Sequence, residues 1–359
     1  MAEHRPRPAW ASGLLVCSLA VAACHGRPPQ ASHREGVPVA VERLDSAAGA
    51  IVPDPAMLVK VATGYTWTEG PIALRDRSLL FAEIPSNTIR KVVPGQPAAI
   101  FLQPSGYLGS APFRGREPGS NGMTLDPRGR LTVAGHGQRD VYRLDSLGDP
   151  AGHHTILADT YQGKRLNSPN DLVYRSDGSL YFTDPPYGLP MQNDSDPGKE
   201  LKVNGVYRIP GAVDQAPGAP PKRNRLQLLI SDLPRPNGIA FAPDEKFLYV
   251  SNTEPRKLWM RYPVNPDGTL GPGTVFYDAT SDTRKGNPDG IKVDMAGDVY
   301  SAGPGGVWIF SPAGQHLATI LVPEVVSNLN WGGPESRTLY ITASSSVYRI
   351  DLRVPGVRP

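Results

Sequence analysis

Residues 170–184 read NDLVYRSDGSLYFTD: a polar start at Asn170, a short apolar strand, a turn of Ser176, Asp177 and Gly178, and a second apolar strand ending at Asp184. The same phrase recurs with starts at Glu69 (EGPIALRDRSLLFAE), Asn121 (NGMTLDPRGRLTVAG), Asn237 (NGIAFAPDEKFLYVSN), Asp289 (DGIKVDMAGDVYSAG) and Asn328 (NLNWGGPESRTLYITAS). Successive starts lie 52, 49, 67, 52 and 39 residues apart. Periods near 40 to 50 residues, each carrying several strands, are the mark of propeller blades. Third strands follow at 88–93, 140–145, 205–209, 258–262, 306–311 and 346–350, and fourth strands at 98–102, 154–158, 226–231, 274–278 and 317–321. The sixth unit has no fourth strand after Ile350, and the unassigned segment 57–63 (MLVKVAT) is its natural donor. The expectation is an all-β, six-bladed β-propeller over 51–355, with four-stranded blades and a ring closed by an N-terminal strand.

Composition agrees. With 39 Pro and 38 Gly in 359 residues, many short elements joined by turns are expected rather than long helices. The formal net charge is +3, and the Lys and Arg residues are scattered without a basic stripe, which argues against a nucleic-acid partner. Two insertions interrupt the blades, at 104–120 and 185–204, and both leave the ring near the face where the phrases start. Long excursions from a compact scaffold are commonly functional, and these are expected to be lids or walls.

The N-terminus reads as an address. Arg5 and Arg7 precede a short apolar run over 9–24, which suits a secretory signal at 1–23. Its ending, Val21-Ala22-Ala23-Cys24, resembles the lipobox of bacterial lipoproteins. That resemblance implies export, lipidation at Cys24 and anchoring to the outer membrane facing the periplasm; His25 in place of Asp points away from the inner membrane. The membrane is then a partner only through the N-terminal lipid. Residues 24–50 are rich in Pro, Ala and Ser and read as a lipid-anchored tether. Cys17 and Cys24 are the only cysteines, so the mature chain has no internal disulfide.

In a propeller the first strand of each blade lines the central channel, so Glu69, Asn121, Asn170, Asn237, Asp289 and Asn328 should ring one end of the axis. Asn-Gly and Asp-Gly also mark ordinary turns, which would explain any one of them. Six oxygen-bearing side chains in one register, Glu69 included, instead point to a cation site. Carboxylate and amide oxygens suit a hard divalent cation, Ca2+ first, with Mg2+ or Zn2+ as alternatives. Zinc ordinarily takes His or Cys, and the ring has neither.

Four motifs then carry a family resemblance: Glu69-Gly70-Pro71, Ser168-Pro169-Asn170-Asp171, Arg235-Pro236-Asn237-Gly238 and Pro288-Asp289-Gly290. Together they resemble the gluconolactonase/regucalcin (senescence marker protein) family over roughly residues 60–350. The phrases at 166–171 (LNSPND), 181–189 (YFTDPPYGL) and 204–208 (NGVYR) look like its bacterial gluconolactonase branch. The resemblance implies a divalent ion on the axis held by Glu69, Asn170, Asn237 and Asp289, with Asn170 shared between ion and substrate. It also implies a metal-dependent hydrolase of sugar lactones. The cation would polarise the lactone carbonyl, and water would be activated by Asp289 or by the ion itself. Asn121, His136, Asn170 and Tyr187 are the candidate substrate contacts, and Asp171 and Asp184 would orient the ligands. A phosphotriesterase- or arylesterase-like hydrolase on the same fold, or a non-enzymatic propeller binding an envelope partner, are the competing readings. No G-x-S-x-G elbow, H-E-x-x-H pair or Gly-rich phosphate loop is present.

Overall fold

Each of the six phrases forms the two inner strands of an antiparallel sheet, and further strands outside them complete it. The structure, a computed structural model, describes residues 1–2, 36–149 and 152–358. The third blade shows the pattern: Leu172–Tyr174, Leu180–Asp184, Gly205–Ile209 and Gln227–Ile230 lie side by side in chain order. The inner strands of successive blades touch one another around the ring, and that of the sixth returns to that of the first. The second strands are buried along all or nearly all of their length, completely so in Leu79–Glu83, Leu131–Gly135 and Leu180–Asp184, because adjacent blades cover both faces. That is why they read as continuous apolar runs rather than as alternating ones.

The core therefore sits between blades. Ile72, Leu80 and Ala82 of the first blade meet Met123, Leu131 and Val133 of the second. Trp259 of the fourth stacks on Trp308 of the fifth with ring centroids 5.3 Å apart. The turn inside each of the first five phrases is built by an Asp, and that of the sixth by a short 3-10 segment, Pro334–Ser336. Asp126 Oδ1 accepts from the amides of Arg128 and Arg130, and Asp294 Oδ1 from those of Ala296 and Asp298. This Asx-turn chemistry reverses the chain between inner strands.

The ring closes as the sequence predicts: strand Ala56–Thr63 pairs antiparallel with Ser346–Asp351, Leu58 opposite Ile350. The tether over 24–50 is corrected for its second half. Val37–Val39 adds a fifth strand to the sixth blade, and Val41–Arg43 adds a fifth strand to the fifth blade beside Ala318–Ile320. A short helix, Ala48–Ile51, follows, and Arg43 fastens it by donating to the carbonyls of Ala48, Val52 and Pro53. The physical reason is the free outer edge of a blade, a row of unpaired N–H and C=O groups that extended chain can cover. Pro38, lacking an N–H, is tolerated on such an edge. Among the described residues the folded body thus includes 36–50 as well as 51–355. Apart from residues 1–2, the signal segment lies outside the described residues, as does Cys24.

Removing residues 1–44 is expected to cost about 2–3 kcal/mol of strand pairing and Val burial, a fall in Tm of roughly 3–5 °C. Thermal unfolding of chains starting at 33 and at 45 checks this, and equal Tm values would refute it.

Candidate active site

The polar starts are aimed at the axis by a break in register. The ladder between the two inner strands slips between Glu69 and Ile72, between Ser120 and Met123, and between Pro236 and Ile239. These bulges free Asn121 and Asn237 from regular pairing, whereas Glu69 is the last residue paired, opposite Ala82, before the slip. In the third and fifth blades the inner strand starts later, at Leu172 and Ile291, so Asn170 and Asp289 stand just ahead of it. The glycine after the polar residue is a spacer between blades. A Cβ on Gly122 would lie 2.5 Å from the Asn170 carbonyl oxygen, and one on Gly238 would lie 2.2 Å from that of Asp289. The Asn-Gly pairs are therefore close approaches of neighbouring inner strands, not turns.

Each residue of the ring has its own support. Asp184 Oδ2 and Oδ1 accept from the amides of Asn167 and Ser168, both at 2.8 Å, and so anchor the segment that delivers Asn170. Asn252 does the same in the fourth blade by accepting from the Arg235 amide at 2.8 Å. The Thr253 hydroxyl donates to the Pro288 carbonyl at 3.1 Å, so its lone pairs take the Asn237 Nδ2 group at 3.2 Å. That turns Asn237 Oδ1 toward the channel. Asn121 Nδ2 lies 3.1 Å from His136 Nε2, and His136 Nδ1 lies 2.9 Å from Glu117 Oε2. Asn328 differs. Its Oδ1 accepts from the Leu329 amide at 2.8 Å and lies 3.5 Å from Lys292 Nζ, so it props the ring from below.

The electrostatics follow from crowding carboxylates in a dry place. Burial pushes the Glu69 carboxyl up to about 8; the Gly70 N–H at 3.0 Å opposes the shift and the Asp171 charge adds to it. Asp289 is raised well above the carboxylate range by burial and then by Glu69, Asp171 and Glu117. Asp289 is only half-buried as a residue, yet its Oδ1 is shut off from solvent. Lys292 supplies a resident positive charge, with Nζ 3.7 Å from Asp171 Oδ2. Tyr187, from the second insertion, is raised by burial, with the Thr253 side chain opposing the shift and the charge of Asp289 adding to it.

Three buried acceptors at this end of the ring lack partners: Asn121 Oδ1, Asn237 Oδ1 and Asp289 Oδ1. Each unmade bond costs about 1–3 kcal/mol, and a cation is the ligand that satisfies several acceptors at once. Among the described residues no three His, Cys, Asp or Glu side chains group as a metal site on their own. The available donors are two carboxylates, Glu69 and Asp289, with amide oxygens around them. That set fits a hard cation, and His136, spent on Asn121 and Glu117, leaves no nitrogen for zinc. Two cavities, about 280 and 540 Å³, lie elsewhere, at the outer edges of the first two blades and under the N-terminal segment, and contain none of these residues.

Of the residues named from sequence, Glu69, Asn121, Asn237 and Asp289 come together with Tyr187 and His136. Asn170 joins them through its main chain, which donates to Thr183 and accepts from Gly122, both at 2.8 Å. Glu117, Thr253, Gln192 and Lys292 were not legible as site residues. Only Thr253 had a signal, its place one residue beyond Asn252.

The family model described as the SMP-30/Gluconolactonase/LRE-like region matches residues 67–345. Over 306 residues the chain is 37% identical to the gluconolactonase of Zymomonas mobilis, covering 82% of this chain and 81% of that protein. It is 26% identical over 249 residues to lactonohydrolase oryL of Aspergillus oryzae, 64% of this chain and 53% of that protein. Among solved structures, a gluconolactonase from Xanthomonas campestris matches with a TM-score of 0.72 at 30% identity, over 88% of this chain and 97% of that one.

Proposed function

The chain belongs to the SMP-30/gluconolactonase/LRE-like family, and from that premise we propose that it hydrolyses the ring ester of sugar lactones, with a divalent cation on the propeller axis and Asp289 as the base. The observation that carries the reading is the pair of unpartnered acceptors Asn237 Oδ1 and Asp289 Oδ1, beside the buried Glu69 carboxyl.

The chemistry asked of the chain is modest. When bound, a divalent cation among Glu69, Asn237 and Asp289, with Asn170, supplies the Lewis acid that polarises the lactone carbonyl. Ca2+ is the first choice on the donor set. Asp289 takes a proton from water as the water oxygen attacks the carbonyl carbon. As the ring C–O bond breaks, that proton passes to the departing alkoxide, giving the free hydroxyl of the open acid. A cation beside Asp289 would keep its carboxylate ionised and ready to accept the proton, and burial opposes the loss of basicity that the positive charge brings. Tyr187 offers a hydroxyl donor beside Asp289, and Asn121 offers an acceptor to a substrate hydroxyl.

A pH-indicator assay with glucono-δ-lactone tests this. Turnover should vanish after thorough chelation with EDTA and return on adding Ca2+. Turnover that survives chelation would overturn the cation. Cleavage of aryl esters or phosphotriesters without cleavage of lactones would overturn the substrate class.

A further inference from the structure

Glu117 lies in the insertion at 104–120, outside every blade, yet its carboxylate bridges three parts of the mouth. Oε2 sits 2.9 Å from Nδ1 of the fully buried His136 of the second blade, and Oε1 accepts from Gln192 Nε2 of the second insertion at 2.8 Å. The segment has no slack. The Tyr107 amide donates to the Pro118 carbonyl at 2.6 Å, the Gly119 amide to that of Ile84 at 3.0 Å, and the Gly137 amide to that of Gly119 at 3.3 Å. A Cβ on Gly137 would lie 2.1 Å from the Pro118 oxygen, so the insertion rests directly on the turn that follows His136. From the other side, Gly188 packs so closely that a Cβ there would lie 2.9 Å from that of His136.

The amide nitrogen of Asn121 faces His136 Nε2 at 3.1 Å, and an amide N–H only donates, so Nε2 accepts with its lone pair. The ring hydrogen then sits on Nδ1, which donates to Glu117 Oε2 at 2.9 Å. Asn121 Oδ1 is therefore turned the other way, buried and without a partner. At the same place in their blades Asp184 and Asn252 hold main-chain amides, whereas His136 holds a side chain of the ring.

We propose that Glu117 is a positioning residue: through His136 it fixes the Asn121 carboxamide with its oxygen toward the axis, where it accepts a hydrogen bond from a hydroxyl of the lactone. The proposal rests on the lactonase reading for its substrate and on the hydrogen-bond geometry alone for the relay. It makes the enzyme selective for hydroxylated lactones, because a fixed acceptor favours a ligand that brings it a donor.

The test has two arms. In the first, two-bond 1H–15N correlation spectra of the purified protein labelled on its histidines report the ring tautomer, with His136 assigned by comparison with His136→Gln. The wild type should show the Nδ1–H tautomer, and Glu117→Gln should shift it toward Nε2–H or a mixture. In the second, Glu117→Gln should lower kcat/KM for glucono-δ-lactone about tenfold, mainly through KM, and leave that for δ-valerolactone, which has no hydroxyls, within about twofold. A wild-type His136 protonated on Nε2, or an equal loss on both lactones, would overturn the relay. Wild-type protein that cleaves neither lactone would overturn the lactonase reading, and the tautomer spectrum would still decide the relay.

Discussion

Asp289→Ala is expected to lower kcat/KM for glucono-δ-lactone by about 10³-fold while leaving the propeller folded. Removal of a positioned base costs on the order of 10²–10⁴ in rate, and here the same carboxylate is proposed to hold the cation. The fold should not suffer, because the structural role at this position belongs to the main chain. The Ser251 hydroxyl donates to the Asp289 carbonyl at 2.8 Å, and the inner strand begins two residues later. In chelated protein the substitution should hold or raise Tm, since it deletes a carboxylate whose ionisation is opposed by burial and by Glu69, Asp171 and Glu117. Activity assays and thermal unfolding of the same preparation check both halves. A variant that turns over normally would remove Asp289 as the base, and one that is inactive only because it is unfolded would remove the argument for a local role.

Chelated protein should also lose stability as pH rises from 4.5 to 8, and added Ca2+ should abolish much of that loss. The sign follows from proton binding. The Glu69 carboxyl titrates near 4.5 in the unfolded chain and is pushed up to about 8 in the fold, so between those values the folded state holds the extra proton. Stability falls wherever the folded state binds more protons than the unfolded one. The contribution is fully present below pH 4.5 and lost as pH rises through about 8. Asp289 acts in the same direction. Asp140 and Asp184, each pushed up to about 7 mainly by burial, add a fall that a cation on the axis does not touch. Asp76 and Asp278, lowered to about 2 first by the side-chain hydrogen bonds of Ser78 and Thr280, act only in stronger acid. The Tm of chelated protein should therefore drop by roughly 5–8 °C more than that of Ca2+-loaded protein across this range. Parallel curves with and without Ca2+ would refute a cation site at Glu69 and Asp289.

Much of the fold was open to reading because a blade is a local object. Strand, Asp-built turn and strand recur within one phrase, and the missing fourth strand of the sixth blade pointed to 57–63 by elimination. The segment at 36–43 was misread for the opposite reason. VPVAVER is short, contains Pro, and gains its structure only by covering strands far along the chain, so its composition resembled a tether. Glu117 left no trace, since an insertion has no register in the repeat and the meaning of a glutamate there depends on which side chain it meets.

The six starts show the division most clearly. Sequence by itself determined the ring, because register along a strand decides which side chains face the axis. It placed Glu69, Asn237 and Asp289 together and named Asn121 and His136 among the substrate contacts. Only the tertiary structure decided which oxygens are free to act. Asn237 and Asn121 turn theirs inward because Thr253 and His136 occupy the amide nitrogens, whereas Asn328 has spent its oxygen on Leu329 and Lys292. The direction an amide faces is set by partners from other blades and insertions, and a one-dimensional repeat carries no record of them.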